Sequence, residues 1–184
     1  MAENVNVMPM LIATVAVVFI VACCVVDART RRIPNVLSAS AMLAGLGLNA
    51  AYYGVSGLGV SLGGLLAAGA VLLPAFAVGG IGAGDVKMMG AIGALIGPEA
   101  ALAGLGLGMI FGGIIVVGHL ARHGRLREKL GSTWAMVAAA SLARSVEPLR
   151  SPANDPNAVA LPYSVPLGLG TVAVLMFIAW GGTL

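Results

Sequence analysis

Charge is what this sequence has least of. Ten basic and seven acidic residues make up 9% of its 184 positions, against about 25% in ordinary soluble domains. So few charges cannot solvate a globule of this size, which excludes a free soluble domain. The 59% apolar content excludes a disordered chain, which is poor in hydrophobic residues. A mean hydropathy of +1.01 points to a membrane. Cysteine is scarce too. Cys23 and Cys24 are neighbours in an apolar run. Adjacent cysteines have poor disulfide geometry and two thiols are too few for a zinc site, so both read as small packing residues. Internal repeats, the mark of many transporters, are missing as well. Glycine is the one excess: its 27 residues are roughly twice the usual share, as closely approaching or interrupted membrane helices require.

Six apolar runs follow along the chain, at about 7–26, 36–53, 58–78, 86–96, 100–120 and 163–180. They predict an all-α, polytopic membrane protein with six transmembrane helices in a single domain over 1–184. Pro74 predicts a kink in the third run. The fourth is the shortest. The first run has the look of a signal peptide, but its leading flank holds Glu3 and no basic residue, while Arg29, Arg31 and Arg32 follow it. That is the pattern of a retained helix with its N-terminus outside. Alternating six spans from there puts segments 27–35, 79–87 and 121–162 inside. All ten basic residues fall in those three segments, and the outer loops keep only Glu3 and Glu99. The positive-inside rule is met without exception, with both termini outside.

The inner segment 121–162 is too long for a turn. Leu126, Leu130, Trp134, Val137, Ala138 and Leu142 recur at helical spacing. They predict an amphipathic helix on the cytoplasmic interface, anchored by Trp134, or else a plain connector. Gly104, Gly108 and Gly112 form a small-residue stripe on the fifth run, and Gly93 and Gly97 a shorter one on the fourth. Such stripes let helix backbones approach.

Acids at membrane depth are either functional or paired. Asp27 ends the first span and Asp85 opens the fourth, with two spans between them, so both lie on one side. If they meet, they cannot both ionise cheaply and one keeps a proton. The ionised partner can then activate a water against a peptide carbonyl, while the other polarises the carbonyl and protonates the leaving amine. This chemistry needs no metal and no cofactor. Ahead of Asp85, Gly79, Gly80, Gly82 and Gly84 break regular helix. Their backbone could line an aqueous pocket and pair with an extended substrate, Gly79 and Gly80 being the candidates. Two other readings stay open on the residues alone: ion-coupled transport through the same aspartates, and simple helix caps beside Arg29, Arg31, Arg32 and Lys87.

Three motifs break the tie. Gly82-Ala83-Gly84-Asp85, extended by Val86-Lys87-Met88, resembles the Gly-x-Gly-Asp signature of type IV prepilin peptidases. Asp27 followed by Arg31-Arg32-Ile33-Pro34-Asn35 is similar to the other half of that family's site. Leu161-Pro162-Tyr163-Ser164-Val165-Pro166-Leu167 resembles the motif opening its last span, with Ser164 standing where the family has glycine. The small size, with no Cys-x-x-Cys insert, resembles the short Flp/Tad-type branch. The resemblance implies catalytic Asp27 and Asp85, with support from Gly82, Gly84, Lys87, Pro34 and Asn35. Lys87 either tunes the acids or snorkels to the interface. It implies a prepilin or pseudopilin substrate, cut after a glycine at the inner face of a bacterial inner membrane, and no N-methyltransferase activity. A small transporter or a non-enzymatic assembly subunit is the alternative. His119 and His123 lack a third ligand and read as interface residues. Arg122, Arg125, Arg127 and Lys129 suit lipid headgroups, and nucleic acid is not an expected partner.

Overall fold

The structure is a computed structural model that describes residues 3–124 and 163–184, with side chains from Met10 onward. Five helices and no strands occur among the described residues: α1 Glu3–Thr30, α2 Asn35–Ala77, α3 Ala83–Ile96, α4 Pro98–Arg122 and α5 Ser164–Ala179. Three of them, Met10–Thr30 within α1, α2 and α4, are long and apolar enough to cross a bilayer. The chain is thus an all-helical membrane protein. The expected interfacial helix and the rest of 125–162 lie outside the described residues.

On α1, Ile12, Ala16, Phe19, Ile20, Cys23 and Asp27 are buried at spacings of three and four, while Val18, Val21 and Val25 stay exposed on the other side. Both faces are apolar because one meets protein and the other lipid. The carboxylate at position 27 therefore falls on the protein-facing side. Cys23 and Cys24 are free thiols, Cys23 buried in the core, as packing residues should be.

Two of the apolar runs, 36–53 and 58–78, form the two arms of the 43-residue element α2, a pair of helices joined at a kink. Asn49 and Ser61 both donate to the carbonyl of Ala94, at 3.1 and 2.6 Å. In a straight helix these residues would stand about 18 Å apart. The helix doubles back between them at Gly54, whose backbone (φ 61, ψ −142) only glycine adopts readily. The break falls in the gap between the second and third runs, as the sequence suggested, whereas the backbone at Pro74, where a kink was expected, stays helical. Pro74 lies in the last turn, ahead of only three helical residues, where a missing N–H disturbs little.

The short helix α3 packs against both arms of this hairpin. Residues Met88–Leu95 are all buried, which makes α3 the centre of the molecule. Gly45 and Gly64, one from each arm, leave no room for a Cβ against the backbone of Ala94 and Gly93. Such contact brings α3 close enough for side chains of α2 to satisfy its final carbonyls. Asn49 donates to Leu95 as well as Ala94, both at 3.1 Å, and to Gly45 of its own helix. A helix end buried away from water needs such partners, because nothing else satisfies its last carbonyls. Gly97 (φ 83) then turns the chain into α4, which starts at Pro98. Gly97 is thus a junction as well as the stripe position its spacing suggested, since Gly64 packs on the backbone of both Gly93 and Gly97. The stripe on α4 does face a helix: Gly104 and Gly108 press on Thr171, Leu167 and Gly170 of α5.

Candidate active site

Asp27 is held in place from three sides. Its position on the buried face of α1 turns it inward, and it is only 8% exposed. Its own carbonyl accepts the N–H of Arg31 at 2.7 Å, closing the last turn of α1. Arg31 takes the left-handed conformation there (φ 51), which ends the helix and sends Ile33, Pro34 and Asn35 back across its end. From the far end of the chain, the hydroxyl of Ser164 donates to Oδ2 of Asp27 at 2.6 Å. Ser164 is fully buried in the first turn of α5.

Asp85 comes from the first turn of α3 and is equally buried. The irregular glycine stretch is shorter than its composition suggested, since Gly84 and Asp85 are already helical. Gly82 is the residue before the helix, and its carbonyl accepts the N–H groups of Asp85 and Val86 at 3.1 and 3.4 Å. A Cβ on Gly82 would touch Oδ2 of Asp85 at 3.4 Å, and one on Gly84 would press on Ile33 at 3.3 Å. The first glycine keeps the carboxylate open. The second lets the returning Ile33 segment lie against α3.

The two acids line one cleft of about 490 Å³, with Arg31, Arg32, Ile33, Pro34, Asn35, Gly82, Ala83, Gly84 and Lys87. Asp85 lies outside the helices long enough to span. Burial first, and the charge of Asp27 second, push its carboxyl up to about 6, with the Gly82 backbone opposing. Lys87 donates to Oδ1 of Asn35 at 2.9 Å, tying the Gly-x-Gly-Asp helix to the Pro-Asn segment. Neither acid forms an ion pair with a basic side chain among the described residues: Asp27 is bonded by a hydroxyl, and Lys87 by an amide. A capping or charge-pairing role accounts poorly for that. A volume near 490 Å³ suits a short extended peptide.

A larger cavity, about 670 Å³, lies at the other end of α3 beside Leu95, Ile96 and Asn49, without a carboxylate, histidine, lysine or arginine. Gly79 and Gly80 do not line the cleft. Their N–H groups close the end of α2 on Phe76 and Ala75, both at 2.9 Å. His119 and His123 stack at 4.3 Å on exposed turns of α4. Among the described residues no three His, Cys, Asp or Glu side chains are arranged to hold a metal ion. Ser164 was visible in the sequence only as a departure from a motif. Asn49 and Ser61 went unremarked, although a polar residue inside an apolar run is a signal in itself.

No match to the chain occurs among curated proteins or solved structures. A family model does match, over residues 14–117, more than half the chain and both acids. That family is one of membrane proteases acting on prepilin leaders, and the chain belongs to it: the type IV leader peptidase family.

Proposed function

We propose that this chain is an aspartyl endopeptidase that removes the short basic leader from prepilins or pseudopilins, using Asp27 and Asp85 to activate water. The observation that carries this reading is the shared cleft: two buried carboxylates from distant helices, neither paired with a base among the described residues. One acid takes a proton from water as the oxygen attacks the peptide carbonyl carbon. The other first hydrogen-bonds the carbonyl oxygen, then gives its proton to the leaving nitrogen as the C–N bond breaks. The proton gained from water restores the pair, so nothing is consumed but water.

The topology follows the charges. Six spans with both termini outside put Asp27, Asp85 and all ten basic residues at the cytoplasmic face of a bacterial inner membrane. A prepilin's basic leader stays on that face while its hydrophobic helix lies in the bilayer. The doubled-back α2 supports counting six segments, since its two arms provide two of them. Cleavage falls after the glycine that ends the leader. Without a Cys-x-x-Cys insert the chain fits the short Flp/Tad-type branch, with proteolysis and no N-methylation as its activity.

The purified chain in liposomes, given a synthetic prepilin with a glycine-ended basic leader, is expected to release a leader whose mass ends at that glycine. An intact peptide, or a cut elsewhere, contradicts the proposal.

A further inference from the structure

Two carboxylates that share one proton need something to decide which keeps it, and the surroundings of Asp27 and Asp85 differ. Asp27 receives a hydroxyl bond at 2.6 Å from Ser164, a residue with no exposed surface. A hydroxyl has a single hydrogen to give, and here it goes to a carboxylate oxygen. Bonds of this kind favour the charged form of the acceptor and are stronger than neutral ones. No side-chain donor reaches Asp85 among the described residues, and burial and the neighbouring charge act against its ionised form.

The hydroxyl is also held firmly. The carbonyl of Ser164 accepts Sγ of Cys24 at 3.4 Å, one turn before Asp27 on α1. One turn further along α5, a Cβ on Gly168 would collide with Ile20 and with Cys24. The first turn of α5 is therefore pressed against α1, with Ser164 behind Asp27 and outside the cleft lining. Among the described residues, the buried thiol of Cys23 also lies near both acids, and the other polar groups of the cleft are Arg31, Arg32 and Asn35 on the returning segment and Lys87 on α3. These last four line the open cleft, and Lys87 is engaged with Asn35.

We propose that Ser164 is a positioning residue that holds Asp27 in its ionised, water-activating form and so leaves the shared proton on Asp85. This rests on the dyad reading and deepens it by assigning the base to Asp27 and the acid to Asp85.

The test uses Ser164→Ala and Ser164→Gly in the full chain, in liposomes with the synthetic prepilin, beside Asp27→Asn and Asp85→Asn. Both hydroxyl-less variants are expected to move the acid limb of the rate profile up by about one pH unit, so that kcat falls about tenfold on that limb and little above it, with KM unchanged. Rescue of the profile by Ser164→Thr, where it folds, adds support. If both Asn variants are inactive while Ser164→Ala keeps the wild-type profile, the Ser164 assignment is overturned and the dyad stands. If either Asn variant cleaves normally, the dyad falls and the assignment with it. A second measurement needs no substrate: infrared titration of the Asp27 carboxyl in Asp85→Asn protein, with and without Ser164→Ala. Removing the hydroxyl should move the midpoint up by about one pH unit. A fixed midpoint, even with a lowered melting temperature, reduces Ser164 to packing and overturns the proposal.

Discussion

A carboxyl group that shares a half-closed cleft with another carboxylate loses its proton later than one in water. Asp85 is in that position, pushed up from an ordinary 3.8 to about 6, chiefly by burial and next by Asp27. The proton is needed on the pair, so kcat/KM for leader removal is expected to fall as pH rises, with a midpoint near 6. A bound leader excludes water, which raises the cost of charge further and carries the limb of kcat to higher pH than that of kcat/KM. Stability moves in the same direction. The folded chain holds this proton more tightly than the unfolded one, so the contribution is complete below about 4 and is lost as pH rises through about 6. Thermal unfolding of wild type against Asp85→Asn across that window reads it directly: the wild type should lose stability on going up, and the variant should not. The two titrations belong to the pair, and both profiles report it as a unit.

At the scale of elements, the site depends on how a buried 14-residue helix ends. The cap on α3 comes from Asn49, which bonds Ala94 and Leu95 at once, and from Ser61, which bonds Ala94 alone. Asn49→Leu strands the Leu95 carbonyl, and is expected to destabilise the fold by about 1–3 kcal/mol. Ser61→Ala should cost less, since Asn49 still serves Ala94. Thermal melts of the two variants in one detergent make the comparison, and equal losses would contradict it. Much of this layer was legible in the sequence: the apolar runs, the stripe of Gly104 and Gly108, and the end of α1 at the arginines. What was not legible arises from contacts between distant residues. Gly54, just after Tyr52 and Tyr53, lies in the gap between the second and third runs, so the place of the fold-back was legible, but the closing of its two arms on one carbonyl was not. Pro74 is a louder signal locally, yet near a helix end it has little to break. Asn49 and Ser61 take their meaning from Ala94, more than thirty residues away, and Ser164 takes its meaning from Asp27 at the other end of the chain.

For the whole molecule, the scarcity of charge becomes a division of labour. The basic residues gather in the segments assigned to one side, and two of the seven acids meet in a cleft at the ends of α1 and α3. The core helix α3 links the ends of the structure, with carbonyls capped at one end and Asp85 at the other. Family membership, the motif order and the shared cleft all lead to one claim, that Asp27 and Asp85 together cut a peptide bond. Its most direct test is the initial rate of leader removal by purified wild type, Asp27→Asn and Asp85→Asn in liposomes. Asparagine keeps the size and the hydrogen bonding of the side chain while abolishing its exchangeable carboxyl proton. The account predicts that each variant folds and melts cooperatively but cleaves at least about a hundredfold more slowly than wild type. A wild-type rate from either variant would contradict it.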